Sequence, residues 1–366
     1  TGMVGKWHLE PNRLCTDWAQ DLYPDRVKDG KVSLSGDIVQ QFFPGSQGFD
    51  EFFKGEINRY WTNYGLDGQD RQQGGEWTTS GRYRLDIQTD AALAFIERNK
   101  GSPFFLYLAY FAPHVPLAAT EQYLSRFPGD MPTRRRYALA MIAAMDDGVG
   151  RIRERLRSND LLENTLIFYI SDNGAPIKID KKDIPISFKG GAWDGSLNDP
   201  LNGEKGTLLE GGIRVPFLVS WPAKLPRGTV CDEPVISLDV APTCLAAAGR
   251  AIPDELDGID LVPVMAGGTR PDRALYWRFW NQAAIRDGKW KYLALADGRE
   301  ALFDLEADIG EQVNLVDRHP ERAQQLRRTL AGWTDELQPR GIPQGELNDQ
   351  ETKWFAHYLR DAGKAP

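Results

Sequence analysis

The sequence predicts an α/β protein, with a mostly parallel sheet sandwiched by helices and a smaller C-terminal α+β subdomain of antiparallel strands and a helix. Three observations predict it. Short apolar runs at 103–111 ("PFFLYLAYF"), 165–171 ("TLIFYIS") and 215–221 ("VPFLVSW") have the length and flanks of buried strands. A long amphipathic stretch stands between the first two, and strand, helix, strand in that order suggests a parallel, right-handed crossover. Beyond Gly267-Gly268 the texture changes to strands joined by Asp-Gly turns.

Each element has its own justification. Thr1–Gly5 reads as the end of a strand. Residues 10–80 are rich in Gly, Pro, Asp and Trp and keep no period of 3.6 or 2, so they are expected to form long loops with short elements, a pattern that is usually functional. From Leu85 to Asn99 the pattern is helical, with Leu85, Ala92 and Ile96 on one face and Gly101-Ser102-Pro103 as the stop. The run at 103–111 is expected to be a strand buried on both faces. Tyr137, Met141, Met145, Val149, Ile152 and Leu156 step by three or four, and arginines crowd the end of that helix, where they suit its dipole. After the strand at 165–171 comes a polar loop over 174–212, then the strand at 215–221. "SLDVAPTCLAAAG" (237–249) reads as a helix closed by Gly249. Residues 283–306 read as a hairpin system turning at 287–288 and 297–298, and 320–337 as a charged helix. The expected division is 1–268 for the core and 269–366 for the subdomain.

Composition narrows the function classes. The 366 residues suffice for one large or two ordinary domains, and 41% hydrophobic and 11% aromatic content supports a sizeable core. A net charge of −8 offers no global basic field, so nucleic acid is not an expected partner. Cys15, Cys231 and Cys244 are widely spaced and odd in number, which is neither a disulfide framework nor a metal-ligand spacing. No apolar run reaches membrane-spanning length.

In an open parallel sheet, ligands sit beyond the carboxyl ends of strands. Polar groups fall at three such places: Lys6 and His8 after the first strand, His114 after 103–111, and Asp172 with Asn173 after 165–171. Two of the chain's four histidines lie there. Singly, each has an ordinary reading: a structural histidine, a common Asp-Asn-Gly turn, a solvated lysine at 6 or 205. Asp and Asn oxygens suit Ca²⁺ or Mg²⁺, but two side chains are too few for a complete calcium cage.

Four stretches in order carry a resemblance: "GMVGKWHL" (2–9), "LAYFAPHVPL" (108–117), "SDNGAP" (171–176) and "EKGTLLEGGIRVPFLVSWP" (204–222). They resemble motifs of the type I, formylglycine-dependent sulfatase family, within the alkaline-phosphatase-like superfamily. "LDVAPTCLAAAG" and residues 284–315 resemble that family's later core and C-terminal subdomain. The resemblance implies sulfuric ester hydrolysis, with Lys6 and His8 near the sulfate and nucleophile and His114 beside the leaving-group oxygen. It also implies Lys205 bridging sulfate and leaving group, and Asp172 and Asn173 as ligands of a divalent cation, usually Ca²⁺ with Mg²⁺ as the variant. The family's nucleophile stands in a C/S-x-P-x-R motif, and none of the three cysteines and no Ser-x-Pro-x-Arg fits it here. In the family that motif lies upstream of the GKWH segment, so it is expected before residue 1. Little turnover is expected of the 366 residues alone, and association with that segment or with another chain is expected.

Two alternatives remain at this level: a phosphate or phosphonate monoester hydrolase of the same superfamily, and a non-catalytic sulfatase-like binding protein. Trp18, Trp61, Trp77 and Trp193 with Arg59, Arg71 and Arg82 suit a sulfated glycan by stacking and bidentate anion contacts, or serve as loop anchors and surface charge. "WDGSLNDPLNGEKG" (193–206) resembles enzymes acting on carbohydrate sulfates. The resemblance favours a periplasmic or secreted location.

Overall fold

The computed structural model describes residues 1–11, 15–188, 192–269, 271–338 and 347–359. They cluster into two units. The first comprises Thr1–Leu162 with Lys181–Ser196. It contains, in chain order, β1 (Gly2–Gly5), α1 (Thr16–Leu22), the short ladder of β2 (Val27–Lys28) and β3 (Lys31–Val32), α2 (Gly36–Gln40), β4 (Glu51–Gly55), β5 (Arg59–Thr62), β6 (Glu76–Thr79), α3 (Arg84–Asn99), β7 (Leu106–Ala109), α4 (Glu121–Leu124) and α5 (Thr133–Ser158).

Five of these strands form one sheet in the order β6-β5-β4-β1-β7. β1 pairs in parallel with β4 and with β7, while β4–β5 and β5–β6 are antiparallel, so the sheet is mixed. All four residues of β1 are buried, as expected for a strand flanked on both sides. The expected face of α3 is buried at Leu85, Ala92 and Ile96; of the expected face of α5, Met141 and Leu156 are buried while Tyr137, Met145, Val149 and Ile152 are half-buried, and Leu85 packs with Ala140, Met141, Ala144, Leu117 and Tyr123 in one apolar cluster.

The run at 103–111 differs from its expectation. Its regular part is only β7, at the end of the strand order, and Phe105 and Tyr107 are 42% and 46% exposed. A continuous apolar run marks a strand without telling whether it is central or terminal in the sheet.

The second unit comprises Glu163–Asp180 and the described residues from Leu197 on. It contains β8 (Ile167–Ile170), α6 (Glu210–Ile213), β9 (Phe217–Ser220), α7 (Val240–Ala247), α8 (Val262–Met265), β10 (Leu275–Phe279), β11 (Gln282–Asp287), β12 (Trp290–Leu295), β13 (Glu300–Asp304), α9 (Pro320–Glu336) and α10 (Asp349–Tyr358). β8 pairs antiparallel with β9, so the expected strands at 165–171 and 215–221 are partners of each other. β10 to β13 form an antiparallel meander. Its period-2 alternation sends Ile285, Tyr292 and Leu302 against Ala323, Leu326 and Leu330 of α9. The opposite face sends Ala284, Leu293 and Phe303 against Leu208, Leu209 and Phe355. No helix among the described residues is long and apolar enough to cross a membrane.

Candidate active site

In the first unit, β1 ends on Gly5 in the left-handed region, at φ +100°, and a Cβ there would stand 2.0 Å from the Ala109 carbonyl oxygen. Only glycine fits this approach. The next residue, Lys6, donates its backbone N–H to that same oxygen at 2.8 Å, so the chain leaves the carboxyl edge of the sheet at a fixed point. The Lys6 ammonium lies 5.7 Å from the centre of the Phe111 ring. Trp7 holds the segment down by donating from Nε1 to Phe42 O at 2.7 Å. His8 is exposed and left-handed, at φ 55°. An ion pair of 2.6 Å between Glu10 and Lys54 ties the segment back to β4.

His114 stacks on Phe111 with ring centres 4.8 Å apart. Its Nδ1 lies 2.6 Å from the Val115 carbonyl oxygen. A carbonyl only accepts, so Nδ1 is the donor. Lys6 and His114 thus both lie against Phe111, and His8 follows two residues beyond Lys6.

In the second unit, Asp172 and Asn173 follow β8. Asp172 is exposed. Asn173 donates from Nδ2 to Gly174 O at 3.0 Å, which leaves its Oδ1 as an acceptor. The loop is pinned just beyond. Gly174 donates to Gly212 O, and Ala175 exchanges hydrogen bonds with the Asn198 side chain at 2.8 and 3.1 Å. Ala175 O also accepts from the Lys205 backbone at 3.1 Å. Lys205 is therefore tied to the residue two beyond Asn173, and the unit brings Asp172, Asn173 and Lys205 into one loop cluster.

The neighbours of Lys205 are firmly held. Glu204 is fully buried and accepts from the backbones of Lys178 and Ile179, from Trp354 Nε1 and from the Tyr358 hydroxyl. Burial, and then the Glu204 carboxylate, push the Tyr358 hydroxyl far up. Gly206, at φ +99°, accepts from Gln282 Nε2 and lies where a Cβ would meet Trp354 at 2.3 Å. Four residues on, Glu210 pairs with Lys291 at 2.8 Å, and Lys291 pairs with Glu311 at 2.8 Å, all three in the interior.

The donor chemistry at Asp172 and Asn173 fits a hard divalent cation, because one side chain offers a carboxylate and the other a carbonyl-type oxygen with no competing bond. A Ca²⁺ shell takes roughly six to eight oxygens, so these two supply a minority of it. Among the described residues no group of three or more His, Cys, Asp or Glu could hold a metal. None of the cysteines has thiol chemistry marked by its surroundings. All are free, they lie outside the motif, and burial pushes the Cys244 thiol up, away from thiolate character.

Residues 1–250 match the family Sulfatase, and residues 203–338 match "N-sulphoglucosamine sulphohydrolase, C-terminal". The chain belongs to the sulfatase family. It is 33% identical over 273 residues to N-acetylgalactosamine-6-sulfatase of Canis lupus familiaris, covering 69% of this chain and 48% of that protein. It is 32% identical over 287 residues to the uncharacterized sulfatase YdeN of Escherichia coli (strain K12), covering 76% and 47%. Among solved structures, Ps i-CgsB in complex with k-i-k-neocarrahexaose superposes with a TM-score of 0.71 at 27% identity, covering 99% of this chain and 77% of that one. This sulfatase chain thus spans about half the length of the curated relatives it matches. The alkaline-phosphatase-like α/β fold with an antiparallel C-terminal sheet, expected from the motifs, is the fold observed.

Several residues that hold the candidate side chains escaped the sequence reading. Arg84, Gln88 and Phe111 support His114, while Asn198 and Glu204 support the 172–175 and 205 loops. Asn198 and Glu204 lie inside the quoted stretch 193–206, whereas nothing in the sequence around Arg84 marks it. Among the expected substrate groups, Trp193 is buried and bonds Ser196 O at 2.7 Å, which makes it a loop anchor. Arg71 and Arg82 pair with Asp67 and Asp90. Trp18 and Trp61 pack against other aromatic rings. Arg59 and Trp77 remain exposed, with the guanidinium 4.0 Å over the indole.

Proposed function

We propose that this sulfatase hydrolyses the sulfate ester of a carbohydrate or polysaccharide. The family match across residues 1–250 carries the reading, and the substrate class is supported by the neocarrahexaose bound to Ps i-CgsB and by the name of the canine relative. Lys6 and His8 are assigned to the sulfate and the nucleophile, His114 to the leaving-group oxygen as general acid, and Lys205 to the bridge between sulfate and leaving group. Asp172 and Asn173 would hold Ca²⁺, with Mg²⁺ as the alternative, and the cation would supply charge neutralisation at the sulfate oxygens.

The residue types suit the chemistry. S–O cleavage builds negative charge on the transferred and leaving oxygens, and lysine ammonium groups aimed there stabilise it. An imidazolium whose Nδ1–H is engaged by the Val115 carbonyl can deliver its Nε2 proton to the leaving alkoxide and is left as the neutral Nδ1–H imidazole. The nucleophile is proposed to be a formylglycine in a C/S-x-P-x-R motif outside these 366 residues, since no such motif occurs within them. A periplasmic or secreted location accompanies the reading on the resemblance alone.

The test is a substrate screen of the full-length protein against aryl sulfate, aryl phosphate and sulfated oligosaccharides. Sulfate release from the first and third supports the reading. Faster phosphate release assigns the protein to phosphate or phosphonate esters, and glycan binding without turnover assigns it to a binding role. Either outcome overturns the proposal.

A further inference from the structure

Arg84 opens α3 and is only 3% exposed. It is a full positive charge in the interior, and no carboxylate forms an ion pair with it among the described residues. Burial draws its pKa down, but a guanidinium stays charged in a protein. Its Nε and Nη1 are buried with no hydrogen-bond partner. Such a group is costly to bury, so what it does engage is informative.

Nη2 donates to His114 O and to Pro116 O, both at 3.0 Å. The guanidinium carbon lies 4.8 Å from the centre of the Phe111 ring, the ring on which His114 stacks. One helical turn later on α3, Gln88 accepts from the Phe111 backbone N–H at 3.1 Å and donates to Gly55 O at 3.2 Å. Arg84 and Gln88 are spaced i, i+4 and so share a helix face. Between them they fix the backbone at 111, 114 and 116 and one surface of the stacking ring. The only side chain of catalytic type in that stretch is His114.

We propose that Arg84, backed by Gln88, is a positioning residue that fixes the orientation of the His114 imidazole, with its Nδ1–H held on the Val115 carbonyl. The clamp acts on main-chain carbonyls, so it sets the orientation of the ring without touching the ring nitrogens. The kinetic side of this inference rests on the reading of His114 as general acid; the imidazole side does not.

The experiment has two arms, run on Arg84→Met and the milder Arg84→Lys. With four histidines in the chain, ¹H–¹⁵N imidazole spectra can be assigned using His114→Gln. Wild type is expected to show His114 as the Nδ1–H tautomer. Both variants are expected to shift His114 towards the ordinary Nε2–H form while His8, His319 and His357 keep their signals. In the full-length protein, Arg84→Met is expected to lower kcat about tenfold or more with KM within about twofold. The loss should grow as the leaving group becomes a poorer one, because only poor leaving groups need the proton, and His114→Ala should show the same trend. An unchanged His114 signal in both variants would overturn the proposal, as would collective movement of all four histidines or loss of the folded spectrum in Arg84→Lys, either of which assigns Arg84 to general stability. A loss equal for every leaving group would overturn the kinetic arm. If wild type releases no sulfate at all, the proposed function fails, and the imidazole spectra still decide the role of Arg84.

Discussion

Gly5 and Lys6 show how tightly backbone and chemistry are coupled at the scale of single residues. The turn that releases Lys6 from the sheet works only because Gly5 carries no Cβ against Ala109 O. Gly5→Ala forces a left-handed φ and a collision with backbone, and is expected to destabilise the protein by about 2 kcal/mol or more in urea titrations, with a larger loss of turnover. Lys6, His8, His114, Asp172, Asn173 and Lys205 were legible because a strand end delivers each of the first five and the motifs mark all six. The side chains that hold them were not. Arg84 is a charged residue at the start of an apolar helix, which in sequence reads as a solvated cap. Its burial exists only once the 111–116 stretch folds over it.

Among elements, the strands β11–β13 and the helix α9 were read correctly, because Asp-Gly turns are local signals, whereas β10 was not read. The partners of β7 and β8 were not, since pairing is decided by distant segments and an apolar run is compatible with several. The same holds for the interior ion group on β12. Lys291 lies between Glu210 and Glu311 with no exposure, and nothing near "KWKYLAL" announces it. Lys291→Met leaves the buried Glu311 without its lysine and Glu210 with the longer 3.6 Å contact to Arg214, and is expected to cost about 3–5 kcal/mol in chemical denaturation. Burial pushes Glu311 up to about 7 from 4.5, more than Lys291 can offset. At Glu210 burial acts in the same sense, but the attraction of Lys291 outweighs it and the net shift is downward. The folded protein therefore keeps the Glu311 proton that the unfolded chain gives up above 4.5. Its contribution to stability is full below that value and is lost as pH rises through about 7. The Glu210 contribution is already present above 4.5, so from pH 5 to 7.5 the Glu311 trend stands alone within this ion group. The melting temperature is expected to fall over that window, and the fall to shrink in Glu311→Gln.

For the molecule as a whole, a net charge of −8 contrasts with an anionic substrate. Affinity for a sulfate ester must then come from local cations, and a bound divalent ion is the natural supplement to Lys6 and Lys205. Ca²⁺ at 100 times its Kd is expected to add about 2.7 kcal/mol to stability, read as a rise in melting temperature that chelator reverses. Asp172→Ala should abolish that rise without changing the chelated baseline.

The most direct test of the account is kcat/KM for an aryl sulfate in the full-length protein with His114→Ala and with Lys205→Ala, one substitution in each unit. Each variant is expected to stay folded and to lose at least about 100-fold. Turnover within about twofold of wild type in either folded variant would contradict the assignment of these residues to sulfate-ester cleavage.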